Sequence, residues 1–347
     1  MTATRIDVVK TYYGEVLQGT GDLKTSACCS EEALPDKVRA IAKDLVEDVV
    51  ARFYGCGSPL PAALEGKTVL DLGCGSGRDV YLASKLVGES GHVIGVDMTP
   101  EQLQVARDAE AEQMKRWGYK ESNVRFCEGT IEDLAALDIA DNSVDVVISN
   151  CVINLSDDKE AVFKEVFRVL KPGGELYFSD VFVDRHLPQD LVEDDVMVGE
   201  CLGGAMYRED FRRMMQKLGC QDPRIVSSRA IALEDARIAA LCDGMTFTSE
   251  TVRVFKLDLE DQCEDYGQVA TYKGTVDGER TFTLDDHHVF EAHRPMLVCG
   301  NTASMLQDTR FAAHFDVVGD TSRHFGLFDC SPPTTGSDAG VAGGSCC

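Results

Sequence analysis

None of the 14 cysteines is spaced as C-x-x-C, so the chain lacks the closely paired ligands of a structural zinc module. Tryptophan occurs once and aromatics make up 7% of the residues, which gives little material for lining a pocket around a flat ring such as a sterol. No apolar run approaches the length of a membrane span, and the opening Met1-Thr2-Ala3-Thr4-Arg5 has no apolar signal segment. Basic residues are outnumbered, 34 Lys and Arg against 59 Asp and Glu, for a net charge of −25. Such a surface repels phosphate backbones and anionic membranes, so neither nucleic acid nor a membrane is an expected partner. A soluble, cytoplasmic protein is expected, with its cysteines mostly as thiols. Nothing demands a partner subunit, and a monomer is the expectation.

What is present begins with a turn. The 347 residues, 44% of them hydrophobic, suffice for two domains or one large domain with additions. An apolar run leads into Val69-Leu70-Asp71-Leu72-Gly73-Cys74-Gly75-Ser76-Gly77-Arg78-Asp79, which opens a helix. A second run, Val93-Ile94-Gly95-Val96, ends on Asp97, 20 positions after Gly77. Glycine lets backbone approach a ligand and accepts positive φ, and a carboxylate ending the second strand can accept from both ribose hydroxyls. A dinucleotide site spaces its glycines G-x-G-x-x-G to seat a pyrophosphate on a helix N-terminus. Here the spacing is Gly73-x-Gly75-x-Gly77, and Asp71 would repel a pyrophosphate. That carboxylate suits a cation, and S-adenosylmethionine carries an ammonium, a sulfonium and a ribose but no phosphate.

Along the chain, residues 4 to 17 read as a short helix with Ile6, Val9 and Tyr13 on one face, and 20 to 34 as a loop holding Cys28-Cys29. Val38, Ile41, Leu45, Val46, Val49 and Phe53 repeat at helical spacing over 35 to 53, stopped by Gly55 and Gly57. Strands are expected near 68–73, 92–97, 124–128, 144–149 and 174–181, alternating with helices as a parallel sheet covered on both faces. One helix opens with Thr99 as N-cap, Pro100 first inside and Gln102 in a capping box, and Gly118 can close it. Past about 225, short strands at Thr251 to Leu257, Gln268 to Tyr272 and Val289 to Ala292 suggest a smaller α+β appendage. In it a turn at Asp277-Gly278 separates Thr275-Val276 from Thr281 to Leu284. Residues 331 to 345, rich in small and polar types, are expected to be disordered and lead to Cys346-Cys347.

Most cysteines read as small buried hydrophobes: Cys127, Cys220, Cys242, Cys299, and Cys74 within the turn. Four stand where packing is a poorer explanation. Cys56 lies in Tyr54-Gly55-Cys56-Gly57, Cys151 follows Asn150 at the end of the fourth strand, Cys201 lies in Gly199-Glu200-Cys201-Leu202-Gly203-Gly204-Ala205, and Cys28 sits in the early loop. Their separations are large, so the fold has to bring them together.

The turn, Asp97, the strand Val144 to Asn150 and Leu170-Lys171-Pro172-Gly173-Gly174-Glu175-Leu176 resemble class I S-adenosylmethionine-dependent methyltransferases over about 35 to 225. Closer still, Thr11-Tyr12-Tyr13-Gly14, Asp22 to Cys28, Tyr54 to Gly57, Ser149 to Leu155, Tyr177-Phe178-Ser179-Asp180 and Gly199 to Ala205 together resemble arsenite S-adenosylmethionine methyltransferases, from about 6 to 315. The resemblance implies an α/β fold, a Rossmann-like class I methyltransferase sheet with N-terminal helices and a smaller C-terminal α+β domain. It implies segments 1–66, 67–225, 226–330 and a tail at 331–347. It implies that Cys56, Cys151 and Cys201 bind trivalent arsenic and that Cys28 pairs with Cys56 in redox, with Cys29 as a competing partner. For the cofactor, Asp71, Gly73 and Gly75 are expected near the amino-acid portion and Asp97 on the ribose. Met98, Ile131 and Glu132 are expected around adenine, the Asn150 backbone at the methionine part, and Tyr13 closing the pocket.

Trivalent arsenic is thiophilic, and three thiolates leave its lone pair at an open apex. Transfer from a sulfonium then needs positioning rather than a base. None of the seven histidines falls in the turn or the Cys56, Cys151 and Cys201 segments, and His287-His288 reads as surface. Methylated arsenic is formally pentavalent, and Cys28 with Cys56 would return two electrons as a disulfide, restored by a thioredoxin or glutathione system. The rival readings are a C, N or O methyltransferase with incidental cysteines, a non-catalytic thiol protein that sequesters metalloids, and a nicotinamide dehydrogenase. The cofactor turn speaks against the second, and the glycine spacing with Asp71 against the third.

Overall fold

The protein is seen in a computed structural model that describes residues 34–51, 59–194, 197–198, 201–233, 236–242 and 244–330. The expected helix over 4–17 and the terminal tail lie outside these residues.

Apolar residues in the first strand, β1 (Thr68–Leu72), alternate between two faces, as the strand period requires. Leu70 and Leu72 join one core cluster, while Val69 joins another on the opposite side. The same two-sided burial recurs in β2 (His92–Asp97) and β4 (Val144–Asn150), while β3 (Val124–Glu128) lies at the edge. These pair in parallel with β5 (Leu170–Val183) in the order β3-β2-β1-β4-β5, and β6 (Met206–Tyr207) pairs with the end of β5. The order reverses at β1, which is where a doubly wound sheet opens a crevice.

Helices cover both faces. On one lie α1 (Asp36–Ala42), α2 (Glu47–Ala51), α3 (Arg78–Val87) and α4 (Pro100–Trp117), packed through Val38, Val49, Tyr81 and Leu103. On the other lie α5 (Lys159–Val169) and α6 (Arg208–Lys217), packed through Phe163, Val166, Phe211 and Met215. The single helix expected over 35–53 is two pieces. Side chains of α4 take over the backbone groups at the break: Gln113 Oε1 accepts from Val46 N at 2.9 Å, and Arg116 donates to Leu45 O at 3.0 Å. Tertiary hydrogen bonds here override a continuous apolar periodicity.

The strand at 251–257, expected in the appendage, belongs to the main sheet. β8 (Phe247–Phe255) pairs antiparallel with β5, and β7 (Arg224–Ala230) pairs antiparallel with β8. Its residues are buried along almost their whole length, as a strand inside a sheet requires, but periodicity does not name the neighbour. Beyond it come β9 (Glu264–Asp265), β10 (Gln268–Tyr272), β11 (Thr281–Thr283), β12 (Val289–Glu291), β13 (Pro295–Val298), α7 (Gly300–Gln307), β14 (Phe315–Val318) and β15 (Gly326–Leu327). The order β13-β10-β14 forms a small antiparallel sheet over an aromatic core of Tyr272, Phe282, Phe290, Phe311 and Phe315. The turn at Asp277-Gly278 forms with both φ positive, but β11 pairs with β12 rather than with 275–276.

A buried charge network locks the small sheet to the large one. Glu175 of β5, fully buried, accepts from Arg253 Nε of β8 at 2.7 Å and lies 2.5 Å from Arg310 Nη1 as an ion pair. Arg310 also donates to Ala62 O at 3.0 Å. Removing the shared anion strands two guanidiniums in a dry interior. Glu175→Gln is expected to destabilise the chain by about 3–5 kcal/mol, read as a lower urea midpoint at unchanged slope. A midpoint matching the parent would show that the network contributes nothing.

Candidate active site

β1 delivers Asp71, 2% exposed, to the sheet's carboxyl edge. The chain then turns through Gly73, Gly75 and Gly77 at φ +71°, +51° and +86°. Gly73 N and Cys74 N both donate to Val96 O, at 2.7 and 2.9 Å, which ties the turn to the end of β2. A Cβ on Gly73 would sit 2.4 Å from the Val152 side chain, so only glycine lets the turn meet the loop after Cys151. A Cβ on Gly75 would meet nothing within 4 Å, so that residue faces open space.

Asp97 organises the far side. Its Oδ2 accepts from Gly75 N and its Oδ1 from Thr99 N, both at 2.8 Å. Burial raises its carboxyl above the usual range, and the N–H groups of Gly75 and Thr99 oppose that shift. The expected capping box on α4 does not form: Thr99 makes no side-chain cap hydrogen bond, and its N–H donates to Asp97. Gly118 does close α4 at φ +72°. Gln102, freed from the cap, lines the cavity with a buried Oε1 that has no hydrogen-bond partner, an orphan that a ligand donor would satisfy.

Asp71, Gly73, Gly75, Asp97, Met98 and Asn150 all line this one cavity, and so do Ile131, Glu132 and Cys151. Cys74, buried, also lines the cavity, and its thiol is pushed well up by burial, then by Asp97 and Asp71. Glu132 accepts from Ser156 Oγ at 2.5 Å. Asn150 contributes a side chain as well as backbone: its Nδ2 donates to Asp79 Oδ2 at 2.9 Å. Asp79, Thr99, Gln102 and Ser156 also line the cavity, though none was expected there. Asp79 was readable as the acidic first turn of the helix after the glycines, Thr99 and Gln102 were read only as a helix cap, and Ser156 carried no signal.

Three carboxylates, Asp71, Asp79 and Asp97, meet here against one guanidinium, Arg78, 3.1 Å from Asp79. Burial, then the charges of Asp79 and Asp97, push the Asp71 carboxyl well above the usual range. A cation in the cavity would restore its ionised form. A sulfonium and an ammonium, the two cations of S-adenosylmethionine, suit a cavity lined by these carboxylates.

The loop that carries Cys151 reaches the cavity rim, and Cys201 packs behind it. Cys151 N donates to Ser179 O at 2.8 Å. Cys151 and Cys201 both take left-handed φ, +58° and +62°, a conformation that costs a non-glycine residue about 1–3 kcal/mol and clusters at functional sites. Cys201 Sγ donates to Cys151 O at 3.3 Å, and both residues are buried in one apolar cluster with Val181, Leu202 and Phe247. Cys151 is disulfide-bonded. Asp180 holds the next loop, accepting from Asn154 N at 3.0 Å and Val181 N at 2.9 Å, and burial pushes its carboxyl up to about 7. Cys56, Cys28, Cys29 and Tyr13 lie outside the described residues.

Known proteins resemble the chain over most of its length. A family model described as a methyltransferase domain matches residues 63–219, and one described as the arsenite methyltransferase C-terminal domain matches 265–335. An arsenite methyltransferase of Aquipseudomonas alcaligenes is 52% identical over 344 residues, covering 98% of this chain and 99% of its own. That of Mus musculus is 43% identical over 309 residues, covering 88% and 82%. The crystal structure of an arsenic(III) S-adenosylmethionine methyltransferase from Chlamydomonas reinhardtii superposes with a TM-score of 0.83 at 51% identity, covering 86% of this chain and all of that one.

The raised Asp71 carboxyl leads to a pH prediction. Acidification through the Asp71 titration is expected to neutralise that carboxyl and weaken S-adenosylmethionine binding, and raising the pH is expected to strengthen it to a plateau, with proton release on binding in between. Calorimetry in buffers of different ionisation enthalpy measures both. Asp71→Asn is expected to remove the proton release and cost about tenfold or more in affinity, the loss of a charge-assisted contact. A flat pH profile in the parent would contradict the role of Asp71.

Proposed function

The chain belongs to the arsenite methyltransferase family, and from that premise we propose how its residues methylate trivalent arsenic with S-adenosylmethionine. Cys56, Cys151 and Cys201 supply three thiolates to the arsenic. The reading is carried by one observation: Cys151 lines the cofactor cavity while Cys201 Sγ reaches its carbonyl at 3.3 Å. Two sulfur-bearing loops, far apart in sequence, thus share the rim where a methyl donor fits.

Asp71, with Gly73 and Gly75 beside it, holds the cationic amino-acid end. Asp97 takes the ribose, and Met98, Ile131 and Glu132 surround adenine, with the orphaned Gln102 oxygen available to a donor. S-adenosylmethionine, when bound, supplies an electrophilic methyl on a sulfonium, which the lone pair of thiolate-bound arsenic accepts. Arsenic carries no proton to remove, so the residues position rather than act as bases. The apolar surroundings of Cys151 and Cys201 keep water from the methyl path.

A disulfide sulfur is no arsenic ligand, so the bonded state of Cys151 has to be reduced before substrate binds. Cys28 exchanging with Cys56 provides the electrons that return arsenic to the trivalent state, and the cytoplasmic thioredoxin or glutathione system restores the thiols. The chain acts as a monomer in this reading.

Cys151→Ser and Cys201→Ser are each expected to abolish arsenite methylation, followed by chromatography of the arsenic species, while calorimetry still shows S-adenosylmethionine binding. Full turnover in both variants would remove the arsenic assignment. Cys28→Ser should retain arsenite binding but slow the later methylation steps; loss of all binding would refute its redox role. Protein kept from thiol reductant should give no methylarsenical in a single turnover until it is reduced, and an equal yield before and after reduction would show that the Cys151 disulfide has no part in the cycle.

A further inference from the structure

Cys299 was expected to be a small buried hydrophobe and His288 to be surface. Neither description is sufficient. His288 is buried, paired with Asp285 at 2.7 Å, and the groups around it include a second collection of sulfur. Cys263 directly precedes β9, Cys299 is the N-cap of α7, and Cys330 follows β15, which pairs with β9. Their three sulfurs lie within 4.8 Å of one another. Cysteines used only as filler have no reason to converge from three separate elements.

The surroundings suit thiolate. Cys299 Sγ accepts from Thr302 N at 3.4 Å and lies 3.3 Å from Thr302 Oγ1 and 3.9 Å from Arg224 Nη2. Arg224 is itself held by Asp222 and Asp285, at 2.6 and 2.9 Å. Cys299 is fully buried, whereas Cys263 and Cys330 border an open cleft of about 840 Å³. The cluster therefore has an inner anchor and an outer entrance. None of its sulfurs lines the cofactor cavity.

We propose that Cys263, Cys299 and Cys330 form a second site for trivalent arsenic, which binds there as a three-thiolate complex and is not methylated. Arsenous acid enters as a neutral triol, so the net charge of −25 does not repel it. Three As–O bonds break and three As–S bonds form, and the three thiol protons leave with the hydroxyls as water. No electron is transferred. The product is uncharged, so Arg224 keeps its two aspartates. A zinc ion wants four ligands, and no histidine or carboxylate among the described residues completes this set. Three-coordinate pyramidal arsenic is satisfied by the sulfurs present. Once bound, it ties α7 to the paired ends of β9 and β15.

The test uses the full-length, reduced chain carrying Cys151→Ser and Cys201→Ser, so that the outcome does not depend on the proposed catalytic site. Arsenite is added, the chain is desalted, and arsenic per chain is counted by mass spectrometry. Adding Cys330→Ser is expected to remove one arsenic per chain and the three-sulfur component of the arsenic X-ray absorption spectrum; Cys299→Ser should do the same. Cys330 is partly exposed, and an unchanged thermal melt of its variant separates ligand loss from misfolding. Unchanged arsenic content on Cys330→Ser would overturn the site. So would one zinc per chain in the purified parent that Cys330→Ser eliminates.

Discussion

The parallel pairing of β1 with β4 sets the geometry of everything functional. Leu72 stands beside Ser149, so the turn that follows one strand and the cysteine loop that follows the other leave the sheet side by side. The approach is close enough that Gly73 has no room for a Cβ against Val152. A register shift of one residue would turn Asp71 and Asn150 to the opposite face and separate carboxylate, cavity and sulfur. Pairing with β5 then continues the edge, so Ser179 and Asp180 hold the loop that carries Cys151 to Asn154.

Charge gives this edge its selectivity. Asp71, Asp79 and Asp97 are held close together in a poorly hydrated crevice, an arrangement that costs stability without a ligand and rewards a cation. The overall acidity of the chain works in the same direction against phosphate-bearing competitors. In the proposed reading, a metalloid that arrives uncharged is indifferent to this field, so its selection falls to sulfur. The two substrates are thus sorted by different physics on adjacent loops.

The sheet was readable because strand alternation and glycine turns are local signals. Asp71, Gly73, Gly75 and Asp97 were singled out from the same local signals, and they line one cavity together with Met98, Ile131, Glu132 and Asn150. What escaped were decisions made by distant partners. Gln113 and Arg116 of α4 break a helix that its own periodicity would continue. Thr99 turns its N–H to Asp97 and makes no side-chain cap. The sheet that β8 joins depends on β5, and the burial of His288 depends on Asp285. Cys299 looked like filler because its companions stand 36 and 31 residues away in the chain. Residues that act through partners brought in by the fold leave no mark at short range.

The most direct measurement is a crystal structure of the reduced chain soaked with a trivalent arsenical in the presence of S-adenosylhomocysteine. The account predicts arsenic bonded to the sulfurs of Cys56, Cys151 and Cys201, with its open apex toward the ligand's sulfur above Asp71. Arsenic bound elsewhere, with Cys151 and Cys201 reduced and unliganded beside an occupied cofactor cavity, would contradict it.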